Sequence, residues 1–194
     1  MLNGLRALRM GGREVLPLVE GGKGVAATNH KSSGAWAATG GVGTISAVNA
    51  DSYDAEGKII RQVYEQMTRR ERHEQLIQYG IDGGVQQVRR AYEMAEGTLS
   101  KGIGAINVNV LWEMGGAQQV LVGVLEGARG LVNGVTCGAG MPYRLSEIAA
   151  RFNVNYLPIV SSARAWRALW KRAYHKVSEL MAAVVYEDPW LAGG

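Results

Sequence analysis

Several kinds of residue are scarce in this chain, and each scarcity excludes a class of protein. One cysteine among 194 residues excludes a disulfide-stabilised scaffold. The three histidines do not share ligand spacing, so the sequence predicts no metal site. No apolar run has the length of a membrane-spanning helix or the form of a signal peptide. We therefore expect a reduced, cytoplasmic protein that does not enter a membrane.

A strong excess of one charge is also missing. The formal net charge is only +4, and the basic residues concentrate in helical-looking segments with acidic residues interspersed along the chain. Solvent-exposed helix faces explain this pattern better than a nucleic-acid surface does. Nucleic acid is therefore not an expected partner.

Short apolar runs and glycines are abundant. Hydrophobic residues make up 47% of the sequence, and 27 glycines cluster at turns. The apolar runs are continuous rather than alternating, which is typical of strands buried on both faces of a parallel sheet. The predicted strands cover residues 15–19, 43–47, 104–111, 131–136, 156–160 and 182–186.

Segments with helical periodicity separate these runs, which predicts an α/β fold built from repeated strand-helix units. The predicted helices cover 31–39, two segments between 55 and 96, 116–128, 145–152 and 161–180. A glycine-rich break at 80–84 is expected to divide the two helices of a helical insertion at about 49–98. The whole chain, 1–194, is expected to form one incomplete barrel domain.

Small residues follow most of the predicted strands, as in barrel enzymes that build their active sites from loops on one rim. They are Gly21 and Gly22, the segment 137–140, Ser161 and Ser162, and the segment 192–194. A dinucleotide-binding sheet would instead carry one Gly-x-Gly-x-x-Gly turn, which this sequence lacks. The pattern favours a (β/α)8 TIM-barrel type truncated after about six units, although six strands could also form an open doubly wound sheet.

Five motifs occur in a fixed order along the chain. They are LPLVEGG at 16–22, GAWAATGGVGT at 34–44, NGVTCGAGMP at 133–142, PIVSSAR at 158–164 and PWLAGG at 189–194. In order and spacing they resemble the nitronate monooxygenase (2-nitropropane dioxygenase-like) flavoproteins. The resemblance implies an FMN-binding (β/α)8 barrel with the flavin ring over the carboxyl ends of the strands.

The same resemblance implies a set of cofactor-binding residues at those strand ends. They are Gly21, Gly22, Asn109, Cys137, Gly138, Ser161, Ala192 and Gly193. Backbone donors and a few amide or hydroxyl groups suit a flavin, because the redox chemistry belongs to the cofactor. The resemblance therefore implies FMN as the cofactor.

The activity implied is the oxidation of alkyl nitronates, with molecular oxygen reoxidising the flavin. Two alternatives stay open: a flavin-dependent enoyl-thioester reductase subunit on the same scaffold, and a non-catalytic barrel remnant. The family's histidine would follow Gly194, and its main phosphate-binding loops belong to two later units. No catalytic residue is therefore assigned, and we expect the chain to bind FMN weakly or not at all.

Two candidate residues also have structural interpretations. Cys137 could project as a nucleophile, but a buried cysteine is more often inert packing. Asn107 and Asn109 lie on the same side of a predicted strand, where buried amides need hydrogen-bond partners. Either a bound ligand or interior hydrogen bonds would satisfy them.

An unclosed barrel also predicts exposed sheet edges. The first and sixth predicted strands would each lack a neighbour on one side, leaving backbone groups and apolar surface exposed. We therefore expect self-association through these edges.

Overall fold

The structure is a computed structural model that describes residues 4–63 and 67–190. An antiparallel hairpin, β1 (Leu8–Met10) and β2 (Arg13–Val15), comes first. The other strands are β3 (Val42–Ser46), β4 (Ala105–Leu111), β5 (Gly134–Gly138), β6 (Asn155–Val160) and β7 (Val185–Tyr186). The α-helices are α1 (His30–Ala38), α2 (Arg69–Leu99), α3 (Ala117–Gly127), α4 (Leu145–Phe152) and α5 (Ala163–Arg172).

Strands β3 to β7 form one parallel sheet in the order in which they occur along the chain. Because parallel crossovers are right-handed, strands that follow one another in this order place their helices on the same side. A doubly wound sheet would instead reverse its order and cover both faces with helices. The α/β class is therefore confirmed as a half-barrel, while the full count of eight units stays a prediction.

The first predicted strand, 15–19, is wrong in its bounds. Val15 ends the hairpin strand β2, and the parallel pairing begins after it. The Val42 N–H donates to Leu18 O at 2.9 Å, and the Glu20 N–H donates to Val42 O at 2.8 Å. Val19 thus bridges Val42 in parallel, so a short sixth segment lies beside β3. The other five predicted strands are found within three residues of their expected bounds.

The prediction of two helices between 55 and 96 is wrong, because one long helix, α2, covers most of that segment. The glycines of the expected break lie inside α2. A Cβ on Gly83 would overlap the Ala50 carbonyl, and one on Gly80 would lie 3.3 Å from Val120. These glycines let α2 closely approach α3 and the segment that follows β3, and that packing offsets their low helix propensity.

The predicted helix 161–180 is shorter than expected. Ser162 caps α5 by accepting from Ala165 N–H at 3.2 Å, and two turns of 3₁₀ helix, Tyr174–Lys176 and Ser178–Leu180, follow α5. Tyr174 is fully buried, and its hydroxyl donates to Pro142 O at 2.8 Å. We attribute the end of α5 to this inward turn, because a continuous helix would not place Tyr174 there.

The hairpin closes the amino-terminal end of the sheet. The Arg13 guanidinium donates to Gly104 O and Leu99 O, both at 2.6 Å, just before β4. The Asn155 amide at the start of β6 donates to Gly11 O at 3.2 Å. The hairpin therefore lies at the opposite end from the predicted site.

In the described part of the chain, no helix has the length and apolar character needed to cross a membrane.

Candidate functional site

The two faces of the half-barrel differ in polarity. A Cβ on Gly43 would overlap the Ser33 carbonyl of α1, so Gly43 and its period-two neighbour Ile45 face the helices. The alternate residues of three neighbouring strands face the other way. They are polar and buried: Thr44, Ser46, Asn107, Asn109 and Thr136. The inner face of the half-barrel therefore carries a polar layer towards its carboxyl-terminal rim.

Asn109 lies at the centre of this layer, with 3% of its surface exposed. Its Oδ1 accepts from the Thr136 hydroxyl at 2.9 Å, and its Nδ2 donates to Gly22 O at 3.4 Å. Interior hydrogen bonds thus satisfy both ends of the amide. Asn109 was expected to bond either interior groups or a ligand. The structure shows the interior partners, and a ligand contact stays a proposal.

Gly22 and Asn109 are brought together although they are far apart in sequence. A Cβ on Gly22 would overlap the Cβ of Asn109, so only glycine allows this approach. Gly21 is different, because it is exposed and no atom lies within 4 Å of where its Cβ would be. The turn is therefore packed on one side and open on the other.

Two other members of the polar layer, Asn107 and Thr44, have side-chain atoms without hydrogen-bond partners among the described residues. They are register partners on β4 and β3, with 2% and 0% of their surfaces exposed. The Nδ2 of Asn107 and the Oγ1 of Thr44 have no hydrogen-bond partner among the described residues. Buried polar atoms of this kind are costly unless a water or another group satisfies them.

The Cys137 side chain does not belong to this layer. By the register of β5, it points to the same side as Val135 and packs within the core cluster on the helix side. Burial raises the pKa of its thiol to about 12, so it is protonated at neutral pH. The Cys137 side chain is therefore directed away from the inner face, and a cofactor contact by Cys137 stays a prediction for its backbone alone.

Gly138 and Ser161 lie at the carboxyl ends of β5 and β6. Gly138 is buried, and a Cβ there would lie 2.9 Å from Ile159 Cβ. Ser161 is exposed in the turn before α5. Both are on the expected rim, but the hydrogen-bond partners of the Asn109 side chain among the described residues are Gly22 and Thr136. Ala192 and Gly193 lie outside the described residues.

Four residues were missed as site candidates: Thr44, Ser46 and Thr136 of the layer, and Glu20 beside it. Thr136 lies two positions before Gly138, and the period of two along β5 could have placed it beside Asn109. Glu20 precedes the glycine pair, and its buried carboxylate accepts from Thr44 N–H at 2.8 Å. No sequence pattern indicates that second contact, because it depends on where the first strand leaves the sheet.

A cavity of about 280 Å³ opens beside the rim, between the first half of α2 and the loop after β4. Asn49 and His73 contribute polar groups to a lining that includes Ile77 and Met114. Among the residues that the structure describes, no group of three or more His, Cys, Asp or Glu side chains could hold a metal ion.

Groups of the kinds that orient a flavin ring occur together here. Asn109, Thr136 and Gly22 contribute an amide, a hydroxyl and a backbone carbonyl, which are bonded to one another, and the adjacent Gly21 is exposed with no atom within 4 Å of its Cβ position. A flavin needs such groups for orientation rather than an acid or a nucleophile. The five residues of the layer carry no positive charge that would bind the phosphate of FMN.

No known protein family matches the chain, and no curated protein matches it. Among solved structures, it is similar to FabK from Thermotoga maritima, with a TM-score of 0.48 and 19% identity over 88% of this chain and 40% of FabK. A mutant of the same FabK gives a TM-score of 0.48 and 16% identity, over 88% of this chain and 42% of the mutant. The chain thus spans less than half the length of either structure.

Proposed function

We propose that this chain forms the first part of the flavin site of an FMN-dependent oxidoreductase. The observation that carries the proposal is the hydrogen-bonded series of Gly22, Asn109 and Thr136, which joins the turn after the first strand segment to β4 and β5 on the inner face, towards the carboxyl-terminal end of the sheet. This end of a parallel barrel sheet is where barrel enzymes place their ligands. The five sequence motifs support the same cofactor, since two of them contribute Gly22 and Thr136.

The flavin, when bound, would supply the electron transfer, and the residues described here would orient it. Gly21 would leave room for the ring. The Gly22 carbonyl and the Asn109 amide, which bond each other, would offer the ring edge only their remaining lone pair and N–H. The Thr136 hydroxyl fixes the orientation of that amide by donating to its Oδ1. None of these residues needs to change its charge during the reaction.

Two substrate classes accompany this proposal. Alkyl nitronates, with molecular oxygen as acceptor, are the first prediction, and the comparisons give them no support. Enoyl thioesters are the alternative, which the resemblance of the five sequence motifs also leaves open. Assays of flavin-loaded protein with a preformed nitronate and, separately, with reduced nicotinamide and an enoyl thioester distinguish the two classes.

Because general-base assistance is worth about 10² to 10⁴ in rate and no base is assigned, we expect no detectable oxidation of neutral nitroalkanes.

Nuclear magnetic resonance titration with FMN tests the cofactor without requiring tight binding. We expect a dissociation constant weaker than about 1 µM, with signal shifts centred on Gly21, Gly22 and the Asn109 side-chain amide. Riboflavin should shift the same signals, because the proposed contacts are with the ring. Asn109→Ala should reduce the shifts, whereas Asn155→Ala, at the opposite end of the sheet, should not. Saturating FMN that leaves Gly22 and Asn109 unshifted would exclude the proposed site.

A further inference from the structure

The first strand segment of the half-barrel ends in a side-chain hydrogen bond. The Val42 N–H donates to Leu18 O, and the Glu20 N–H donates to Val42 O, which is the alternation of a parallel ladder. In a regular ladder, the next bond would join Thr44 N–H to the carbonyl of Glu20. Here Thr44 N–H donates instead to Oε2 of the Glu20 side chain, at 2.8 Å. The carboxylate thus takes the position of the residue's own backbone acceptor.

This substitution lets the chain leave the sheet at Glu20 without leaving a buried donor on β3 unpaired. The chain then crosses the end of β3, because Gly22 contacts Asn109 on β4, the next strand along. Had the backbone ladder continued, residues 21 and 22 would have stayed beside β3. The crossing therefore depends on a different acceptor for Thr44.

A carboxyl group suits this position for two reasons. Glu20 is only 8% exposed, so its side-chain oxygens need hydrogen-bond donors from the protein. The backbone N–H of Thr44 is such a donor, and it would itself be left unpaired where the first strand segment ends. One contact thus satisfies both the Oε2 of Glu20 and the end of the ladder.

We propose that Glu20 is a positioning residue that sets the path of the Gly21 and Gly22 turn across the inner face of the half-barrel. It acts through Thr44 and the turn, and it makes no contact with a reacting group. The relevance of this role to a flavin rests on the proposed function, whereas the role in placing the turn does not.

Amide hydrogen exchange measured by nuclear magnetic resonance tests the proposal in the protein without any ligand. In Glu20→Ala, exchange at Thr44 should accelerate by about tenfold or more, and the signals of Gly22 and the Asn109 side-chain amide should shift. Glu20→Gln keeps an acceptor oxygen and should retain most of the protection and the original signals. Glu14→Ala, an exposed glutamate on β2, is the matched control and should change neither.

A general structural role would give a different result. It would lower the melting temperature and accelerate exchange throughout the sheet, including β6, with no specific change at Gly22. Such an outcome, or unchanged Thr44 exchange in Glu20→Ala, would overturn the proposal.

The FMN titration separates this inference from the proposed function. If the parent chain binds FMN, Glu20→Ala should weaken binding by about tenfold and Glu20→Gln should weaken it less. If the parent chain does not bind FMN but the exchange results hold, the flavin proposal fails and the positioning role of Glu20 stands. If FMN binds equally to the parent and to Glu20→Ala, the flavin proposal stands and the link from Glu20 to the site is wrong.

Discussion

Gly21 and Gly22 are adjacent glycines with opposite surroundings. Gly21 faces open space, while Gly22 lies directly against Asn109. Both glycines belong to the motif at 16–22, but packing in this structure requires a glycine only at Gly22. This contrast provides a matched test at the level of a single methyl group.

We expect Gly22→Ala to lower the free energy of unfolding by about 1–3 kcal/mol, because the added methyl group overlaps the Asn109 side chain. Gly21→Ala should change it by less than about 0.5 kcal/mol. Urea denaturation of both variants measures the difference. Equal stability of the two variants would show that Gly22 and Asn109 are not in contact.

His30 is a second residue whose environment has a measurable consequence. His30 is 7% exposed, its ring meets Tyr53 edge-on at 5.2 Å, and its Nδ1 has no partner among the described residues. Burial lowers the pKa of His30, and the positive charges of Arg90 and Lys31 lower it further. The folded state therefore resists protonation more than the unfolded state does.

The stability of the chain should consequently depend on His30 below neutral pH. The unfolded state takes up its proton near pH 6.5, before the folded state, so the free energy of unfolding should fall as pH is lowered through about 6.5. Urea denaturation between about pH 8 and pH 5 measures this slope. His30→Gln should flatten it, and the exposed His73→Gln should leave it unchanged. A parent-like slope in His30→Gln would assign the pH dependence to other groups.

At the scale of elements, the glycines of α2 have two opposing effects: they lower helix propensity, and they allow close packing. Its glycines predict a break when only propensity is considered, but three of them lie on the buried surface of one continuous helix: Gly80, Gly83 and Gly84. Gly97 lies in the same helix, is exposed, and has no atom within 4 Å of its Cβ position. Propensity and packing can therefore be separated within one helix.

Gly97→Ala should stabilise the chain by about 0.5–1 kcal/mol, because alanine loses less backbone entropy than glycine in a helix. Gly83→Ala should destabilise it by at least about 1 kcal/mol, since its methyl group overlaps the Ala50 carbonyl. Thermal unfolding followed by circular dichroism measures both effects. Stabilisation by both substitutions would mean that α2 does not approach Ala50 closely.

At the scale of the whole molecule, the half-barrel has two sheet edges. In the described chain, β7 pairs only with β6, and the segment around Val19 pairs only with β3. Tyr186 on β7 is 66% exposed, and Trp190 beyond it is 92% exposed. Unpaired strands next to exposed aromatic side chains favour association with another chain.

We expect the isolated chain to self-associate with increasing concentration, and sedimentation velocity over the micromolar range measures this. Tyr186→Lys places a charge on the β7 edge and should weaken the association. Val25→Lys changes another exposed apolar residue away from β7 and should not. A stable monomer at all concentrations would contradict the prediction.

The sequence by itself determined the alternation of strands and helices, because continuous apolar runs and helical periodicity are local properties of the chain. Five strands and the helices α1, α3 and α4 were predicted close to their observed bounds for this reason. The shared side of Asn107 and Asn109 followed from the period of a strand. The flavin interpretation came from the five motifs, and the domain bounds and site residues remain predictions.

Only the tertiary structure decided what those residues contact. The continuity of α2, the inward turn at Tyr174 and the helix-facing side of Cys137 depend on packing between segments distant in sequence. The same holds for Glu20, whose carboxylate replaces a backbone acceptor only because the first strand leaves the sheet there. Propensity and periodicity act over one or two turns of chain, whereas hydrogen bonds and close contacts across the sheet are set by how its strands are arranged in space.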